Sequence, residues 1–482
     1  MLAFAGIVTV AVAGCVHSPP QHLAGGASLP ESPGRAWPRA PALAPPGVLS
    51  TDLPPDSTIR FDALGVTDVV ELALAHNPET AASWRQARAA AAAYGSAGGT
   101  RYPTVTGTVS GGPSKVISTA PGRLPASRVT FGPQVTLTQL LFDFGGRSGA
   151  IEAAREALLA ADLTHNATLQ NVALQAEVGY FNYQAARGLL AAQQATVGTA
   201  RANLAAAEQR HNVGLATIAD VLQAETAVAQ AELTLQNAEA EVQSARANLA
   251  FQLGIAPNAR FDAVVDTAAV PIGDVAESVD SLIARAVAER PDLAAAEAEA
   301  RQAAATARSV RSGIWPSLGL TATAGRVYAD TSVLGGSNYS LSFGLTIPLF
   351  SGLSRQYDAV AARELAAAAR ARSDLVRLQV AAQVFSSYHG LRTATQRVAT
   401  ATRLLASAER SEEVAQGRYR EGVGSILDVL AAQAALADAR AQRVQARWGW
   451  FASLAQLAHD AGVLGPRGEA PIRLSPDSTK AR

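Results

Sequence analysis

The sequence predicts a mostly α-helical chain with a small transmembrane β part. It is built from duplicated helix–strand–strand–long-helix units, with four strands per chain. Three observations predict this. RYREGVGSILDVL (418–430) nearly restates RHNVGLATIADVL (210–222). Long alanine-rich stretches of helical character precede and follow both copies. Segments of strict apolar–polar alternation, the period of a sheet with one apolar face, stand ahead of each long helical stretch.

The repeat extends beyond the turn. Pro78 aligns with Pro291, Pro103 with Pro316, LFDFGGR (141–147) with LFSGLSR (349–355), and LAFQLG (249–254) with LAHDAG (457–462). A unit of roughly 200 residues is too long for a solenoid repeat, so the chain reads as a duplication of one domain-sized unit. The first unit is placed at 61–265 and the second at 266–465.

Ahead of the first unit, LAFAGIVTVAVAG (2–14) is too short to span a bilayer but suits the apolar core of a signal peptide, placed at 1–14. No Lys or Arg precedes it. The run ends VAGC, which is similar to a bacterial lipobox, so lipid attachment is expected at Cys15. Residues 15–60 are rich in Pro, Gly, Ala and Ser and read as a lipidated, extended tether. Residues 466–482 read as a polar tail.

In unit one a single helix is expected over about 67–98, before Pro103 forces extended backbone. Val129, Phe131, Val135, Leu137 and Leu141 then alternate with Thr130, Gly132, Gln134, Thr136 and Thr138. Unit two alternates over 317–325 and again from Tyr339 to Leu349. Segments of this length match transmembrane barrel strands, with Thr, Ser and Gly inward and apolar residues toward lipid. A half-buried soluble sheet fits any one strand equally well. Four strands cannot close a barrel, and an open sheet in lipid leaves edge groups unpaired at about several kcal/mol each. A membrane protein of this design must therefore oligomerise. Tyr102, Trp315, Tyr328 and Tyr339, near strand ends, are candidates for membrane interfaces.

A helix from about Arg147 to Arg210 follows, roughly 95 Å long at the α-helical rise. Its partner, about 217–253, sets Val221, Val228, Leu235, Val242 and Leu249 on a heptad seam beside Ala224, Ala231, Ala238 and Ala245. Unit two keeps the seam at Val429, Leu436, Trp450 and Leu457, with Arg443 interrupting it. Such alanine-rich helices need neighbours to be stable. In the turns between them, Gly214 and Gly422 permit the left-handed conformation that ends a helix. Thr217 with Asp220, and Ser425 with Asp428, form the S/T-x-x-D pattern of a helix N-terminus, so both aspartates have a capping role available.

Composition excludes several classes. The balance of 40 basic against 40 acidic residues argues against a nucleic-acid partner. One cysteine leaves no intrachain disulfide and no cysteine metal site. The seven histidines show no H-x-x-x-H spacing, and Asp143-Phe144-Gly145 lacks every companion of a kinase motif. Neither an enzyme nor a cofactor or metal site is expected.

Duplicated helix–strand–strand–helix units, LFDFGGR and turns of the form R-x-x-x-G…D-V-L resemble the TolC-type outer membrane factors, over about 62–464. The resemblance implies a homotrimer whose four strands per chain complete a 12-stranded barrel in outer membrane lipid. The long helices would continue as a periplasmic tunnel. The turns would form its entrance and meet a periplasmic adaptor protein and, through it, an inner-membrane pump. Asp220, Tyr419 and Asp428 match positions used at the family's closed entrance. Gly424 and Ala431 stand where the archetype has an arginine and a second acidic ring, so that lock is not implied here. Lipidation at Cys15 leans toward the drug-efflux (OprM-like) branch. The function expected is a passive duct for small molecules in a tripartite efflux system. The alternatives are the same fold serving type I protein secretion, and a lipid-anchored periplasmic coiled-coil structural protein with soluble hairpins as connectors.

Overall fold

The computed structural model describes residues 63–115, 127–255, 257, 261–264, 270, 273–329, 336–464 and 474–476. The expected signal peptide, Cys15 and the tether lie outside them, as does all of the 466–482 tail except 474–476. In chain order the elements are α1 (Val66–His76), α2 (Pro78–Gly99), β1 (Thr104–Lys115), β2 (Ser127–Phe142), α3 (Gly146–Asn212) and α4 (Ile218–Gln252). They continue with β3 (Gly273–Val275), α5 (Val279–Glu289), α6 (Pro291–Ser312), β4 (Ser317–Ala329), β5 (Gly336–Thr346), α7 (Ser354–Arg420), α8 (Ile426–Asp460) and β6 (Leu474–Pro476). The duplication is plain: α3 and α7 are each 67 residues, α4 and α8 each 35.

The single helix expected over 67–98 is two helices. Pro78 takes the first position of α2 and drives the residue before it out of the helical region, so Asn77 sits at ψ 127°. Arg290, before Pro291, sits at ψ 125° for the same reason. The strand expected to reach Leu349 stops at Thr346, because Pro348 has no N–H to continue a ladder. Within the predicted tail, β6 pairs antiparallel with β3.

Two compact units emerge. The first takes in Ala87–Ala161 and Ala295–Ser373 and holds the main sheet. Its strand order is β1-β2-β4-β5, all antiparallel, so the two hairpins join through β2 and β4 and the outer edges of β1 and β5 carry no partner among the described residues. Directly opposed residues share a face. Val135 lies opposite Ala324, Leu137 opposite both Val105 and Ala322, Ala322 opposite Leu341, and Leu320 opposite Phe343, which makes one face apolar. Thr106 opposes Thr136, Thr136 opposes Thr323, and Thr323 opposes Ser340, with a 2.7 Å hydroxyl–hydroxyl bond, which makes the other face polar and uncharged there. A bulge between Leu140 and Phe142 shifts the β2–β4 register just before its last pair, Phe142 opposite Leu318.

Among the described residues the second unit takes in those within 63–86, 162–294 and 374–476. Its core gathers α1 (Leu72), α3 (Val172, Tyr180), α4 (Leu249), α5 (Leu282), α7 (Val384) and α8 (Trp450, Leu457). The heptad reading holds, with the alanine side innermost: Ala224, Ala231, Ala238 and Ala245 are buried, and in α8 Val429, Leu436, Trp450 and Leu457 are buried. Arg443 points to solvent.

Candidate functional site

The two turns between long helices are built alike. Gly214 and Gly422 both hold φ 76°, which a Cβ would strain. That conformation folds the chain back onto the helix end. The Leu215 and Gly214 N–H groups donate to the Arg210 and His211 carbonyls at 2.7 and 2.8 Å, and Val423 and Gly422 repeat the pattern to Arg418 and Tyr419 at 2.9 and 3.1 Å. Carbonyls that would otherwise be orphaned are thereby satisfied.

Each following helix opens with a reciprocal cap. Asp220 N–H donates to Thr217 Oγ1 at 3.3 Å, while Thr217 N–H donates to Asp220 Oδ2 at 2.8 Å. Asp428 N–H donates to Ser425 Oγ at 3.2 Å, and Ser425 N–H returns the bond to Asp428 Oδ2 at 3.1 Å. The Ser425 amide, and then its hydroxyl, hold the Asp428 carboxyl below the usual carboxylate range. The structure therefore engages both aspartates in local caps.

What joins the two turns is a residue the sequence reading did not single out. The Arg210 guanidinium lies over the Tyr419 ring, 4.7 Å from its centroid, and its Nη1 donates to the Tyr419 and Arg420 carbonyls at 3.2 and 3.4 Å. A cation at the C-terminus of α7 also suits the helix dipole. Burial raises the Tyr419 hydroxyl pKa, with Asp220 adding to the rise and Arg210 opposing it. The Tyr419 hydroxyl makes no hydrogen bond among the described residues. The repeated arginine of the R-x-x-x-G motif was the available signal. In the second copy the equivalent Arg418 donates to the Val423 carbonyl of its own turn.

Deeper in the same unit the two repeats diverge at equivalent places. Asn77 donates to the Gln252 carbonyl at 3.1 Å, tying the helix break to the end of α4. Arg290 takes that place in the second repeat and donates to the Asp460 carbonyl at 3.4 Å, to Gln383 at 2.6 Å and bidentately to Asp292 at 3.0 and 2.6 Å. His459 continues the network between Asp460 Oδ1 (3.0 Å) and Asn171 Oδ1 (2.8 Å). Burial pushes the Asp292 carboxyl up, but the Arg290 hydrogen bonds and charge outweigh it and hold the group below its ordinary range. Asp162 and Glu177, 2% and 5% exposed, each keep one carboxylate oxygen without a hydrogen bond among the described residues, and burial lifts them to about 8 and about 7.

Among the described residues no group of three His, Cys, Asp or Glu side chains could hold a metal ion, and no helix is long and apolar enough to cross a membrane. The sheet is another matter: Val109, Leu341 and Phe343 are 68, 66 and 67% exposed on its apolar face.

Residues 69–255 and 282–463 match the family model described as outer membrane efflux protein. The protein CyaE of Bordetella pertussis is 30% identical over 393 residues, covering 81% of this chain and 82% of its own length. The toluene efflux pump outer membrane protein TtgC of Pseudomonas putida is 24% identical over 480 residues, covering 92% and 97%. Among solved structures, the outer membrane protein VceC of Vibrio cholerae superposes with a TM-score of 0.75 at 20% identity, over 82% of this chain and 96% of that one.

Proposed function

The chain belongs to the outer membrane efflux protein family, and from that membership we propose that it is the outer-membrane duct of a tripartite efflux system. Three copies would close one barrel, each supplying β1, β2, β4 and β5. The observation that carries the reading is the sorting of the sheet: an exposed apolar face, a hydroxyl-bearing face, and two edges without a partner among the described residues. In lipid an unpaired edge costs about several kcal/mol per group, and closure into a ring removes every edge. The apolar face would then meet lipid and the Thr/Ser face would line a water-filled passage. The β2–β4 pairing also disfavours the coiled-coil alternative, which needs separate soluble hairpins as connectors.

The tips at Gly214 and Gly422, with their caps at Thr217, Asp220, Ser425 and Asp428, would form the periplasmic entrance where an adaptor protein docks, with an inner-membrane pump driving transport. The Arg210–Tyr419 contact would hold the tips together. Cys15 would carry the lipid anchor. A duct of this kind does no chemistry on its cargo.

Single-channel recording of the detergent-purified, trimer-sized species in a planar bilayer tests the reading. Stable, long-lived conductance is expected. A correctly folded, membrane-derived trimer that passes no current overturns it. Intact mass of the mature chain, with and without Cys15→Ser, tests the anchor separately: a diacylglyceryl-plus-acyl increment only when Cys15 is present.

A further inference from the structure

The geometry points to a binding site for the phosphodiester headgroup of a membrane glycerophospholipid, in the recess where α3 and α6 meet the sheet. The recess measures about 330 Å³ and is lined by Phe144, Ser148, Glu152, Arg308, Arg311 and Trp315 among others. All of these lie in the sheet-bearing unit. Phe144 stacks on Trp315 with ring centroids 5.5 Å apart, and Phe142 packs edge-on against Phe144 at 4.8 Å. Phe142 lies opposite Leu318 at the end of the apolar face, so this aromatic run leads from that face into the recess. Phe142, Phe144 and Trp315 are all about half exposed. Half-exposed aromatics at the end of an apolar band are what a headgroup boundary favours.

The charges complete the argument. Arg308 pairs with Glu152 at 2.7 Å, which neutralises both. Arg311 faces the same recess, is exposed, and makes no ion pair among the described residues, so the lining carries one surplus positive charge. Ser148 lies in the first turn of the 67-residue α3, whose positive dipole end is already capped by the Asp143 carboxylate accepting from the Arg147 N–H. A guanidinium at the rim of the recess, beside aromatics that tolerate acyl chains, fits a phosphate that arrives attached to lipid.

This site rests on the sheet lying in a bilayer. The test uses the full-length trimer, stripped of lipid and reloaded with phosphatidylglycerol or with diacylglycerol of the same acyl chains. Native mass spectrometry then counts retained lipid. The wild-type chain is expected to hold phosphatidylglycerol in preference to diacylglycerol. Arg311→Gln, which leaves the Arg308–Glu152 pair intact, is expected to weaken that retention about tenfold, the equivalent of one charge-assisted hydrogen bond. Equal retention by Arg311→Gln, equal retention of diacylglycerol, or full displacement by millimolar inorganic phosphate each overturns the proposal, the last by assigning the recess to a free anion. Channel recording keeps the two readings apart. A conducting trimer without the lipid preference sinks only the site. A chain that never conducts removes the bilayer placement on which the site depends.

Discussion

At the scale of single residues, the most consequential side chains are those whose surroundings contradict their chemistry. Asp162 is a buried acid on α3 with one oxygen that makes no hydrogen bond among the described residues, and burial lifts its pKa from 3.8 to about 8. A folded-state value above the unfolded one means that its contribution to stability is complete below about pH 3.8 and is lost as the pH rises through about 8. Asp162→Asn is neutral throughout. It should unfold at a higher temperature than the parent chain near pH 9, with the gap closing near pH 4, in a thermal melt followed by circular dichroism. The caps follow ordinary rules. Thr217→Ala removes the hydroxyl that accepts the Asp220 N–H and should cost about 1 kcal/mol locally, read as faster amide exchange in the first turn of α4. Both caps were legible in the sequence because a capping box is written in four consecutive positions. The burial of Asp162 was not, since nothing near it in sequence distinguishes it from a solvated acid on an amphipathic helix.

At the scale of elements, the duplication shows which local devices the fold requires twice. The LFDFGGR and LFSGLSR segments each hold two successive residues at positive φ. They are Phe144 and Gly145 at 51° and 95°, and Gly352 and Leu353 at 63° and 66°. Glycine occupies the second place in one copy and the first in the other, so the backbone path is kept while the relief of strain moves by one residue. The arginine closing each segment plays one role in both copies. Arg147 donates to the Thr100 carbonyl and Arg355 to the Gly313 carbonyl, each just past the end of the preceding helix. Arg210 is used only once, as the clasp between the two tips. Arg210→Ala should remove a cation–π contact and two hydrogen bonds, together about 1–2 kcal/mol. Exchange of the Gly214 and Gly422 amides should then quicken roughly tenfold, with open-channel conductance raised in a planar bilayer. Unchanged exchange at both glycines would mean the clasp does not hold the tips.

At the scale of the whole molecule, the sheet decides what the chain can be. Leu341 and Ser340 are neighbours on β5 that point to opposite faces. If the apolar face meets lipid, Leu341→Arg places a charge in hydrocarbon at about 2–4 kcal/mol in each copy and should abolish membrane assembly of the trimer. Ser340→Arg puts the same charge on the polar face, so the trimer should still assemble, with its ion preference shifted toward anions. Trimer yield from membranes, followed by reversal-potential measurement in a salt gradient, reads both. Equal assembly of the two variants would assign the faces wrongly.

The sequence by itself determined the duplication, the long helix pairs, the alternating strands and the reversed turns. Each of these is encoded in periodicity or in residues only a few positions apart. It missed the break at Asn77 by reading helix propensity across Pro78. It could not show that β2 pairs with β4, that the alanine side of the α4 seam lies innermost, or that Arg210 rather than either aspartate connects the two tips. Those are contacts between residues far apart in the chain, and only the folded packing decides which of many chemically equal partners a side chain meets.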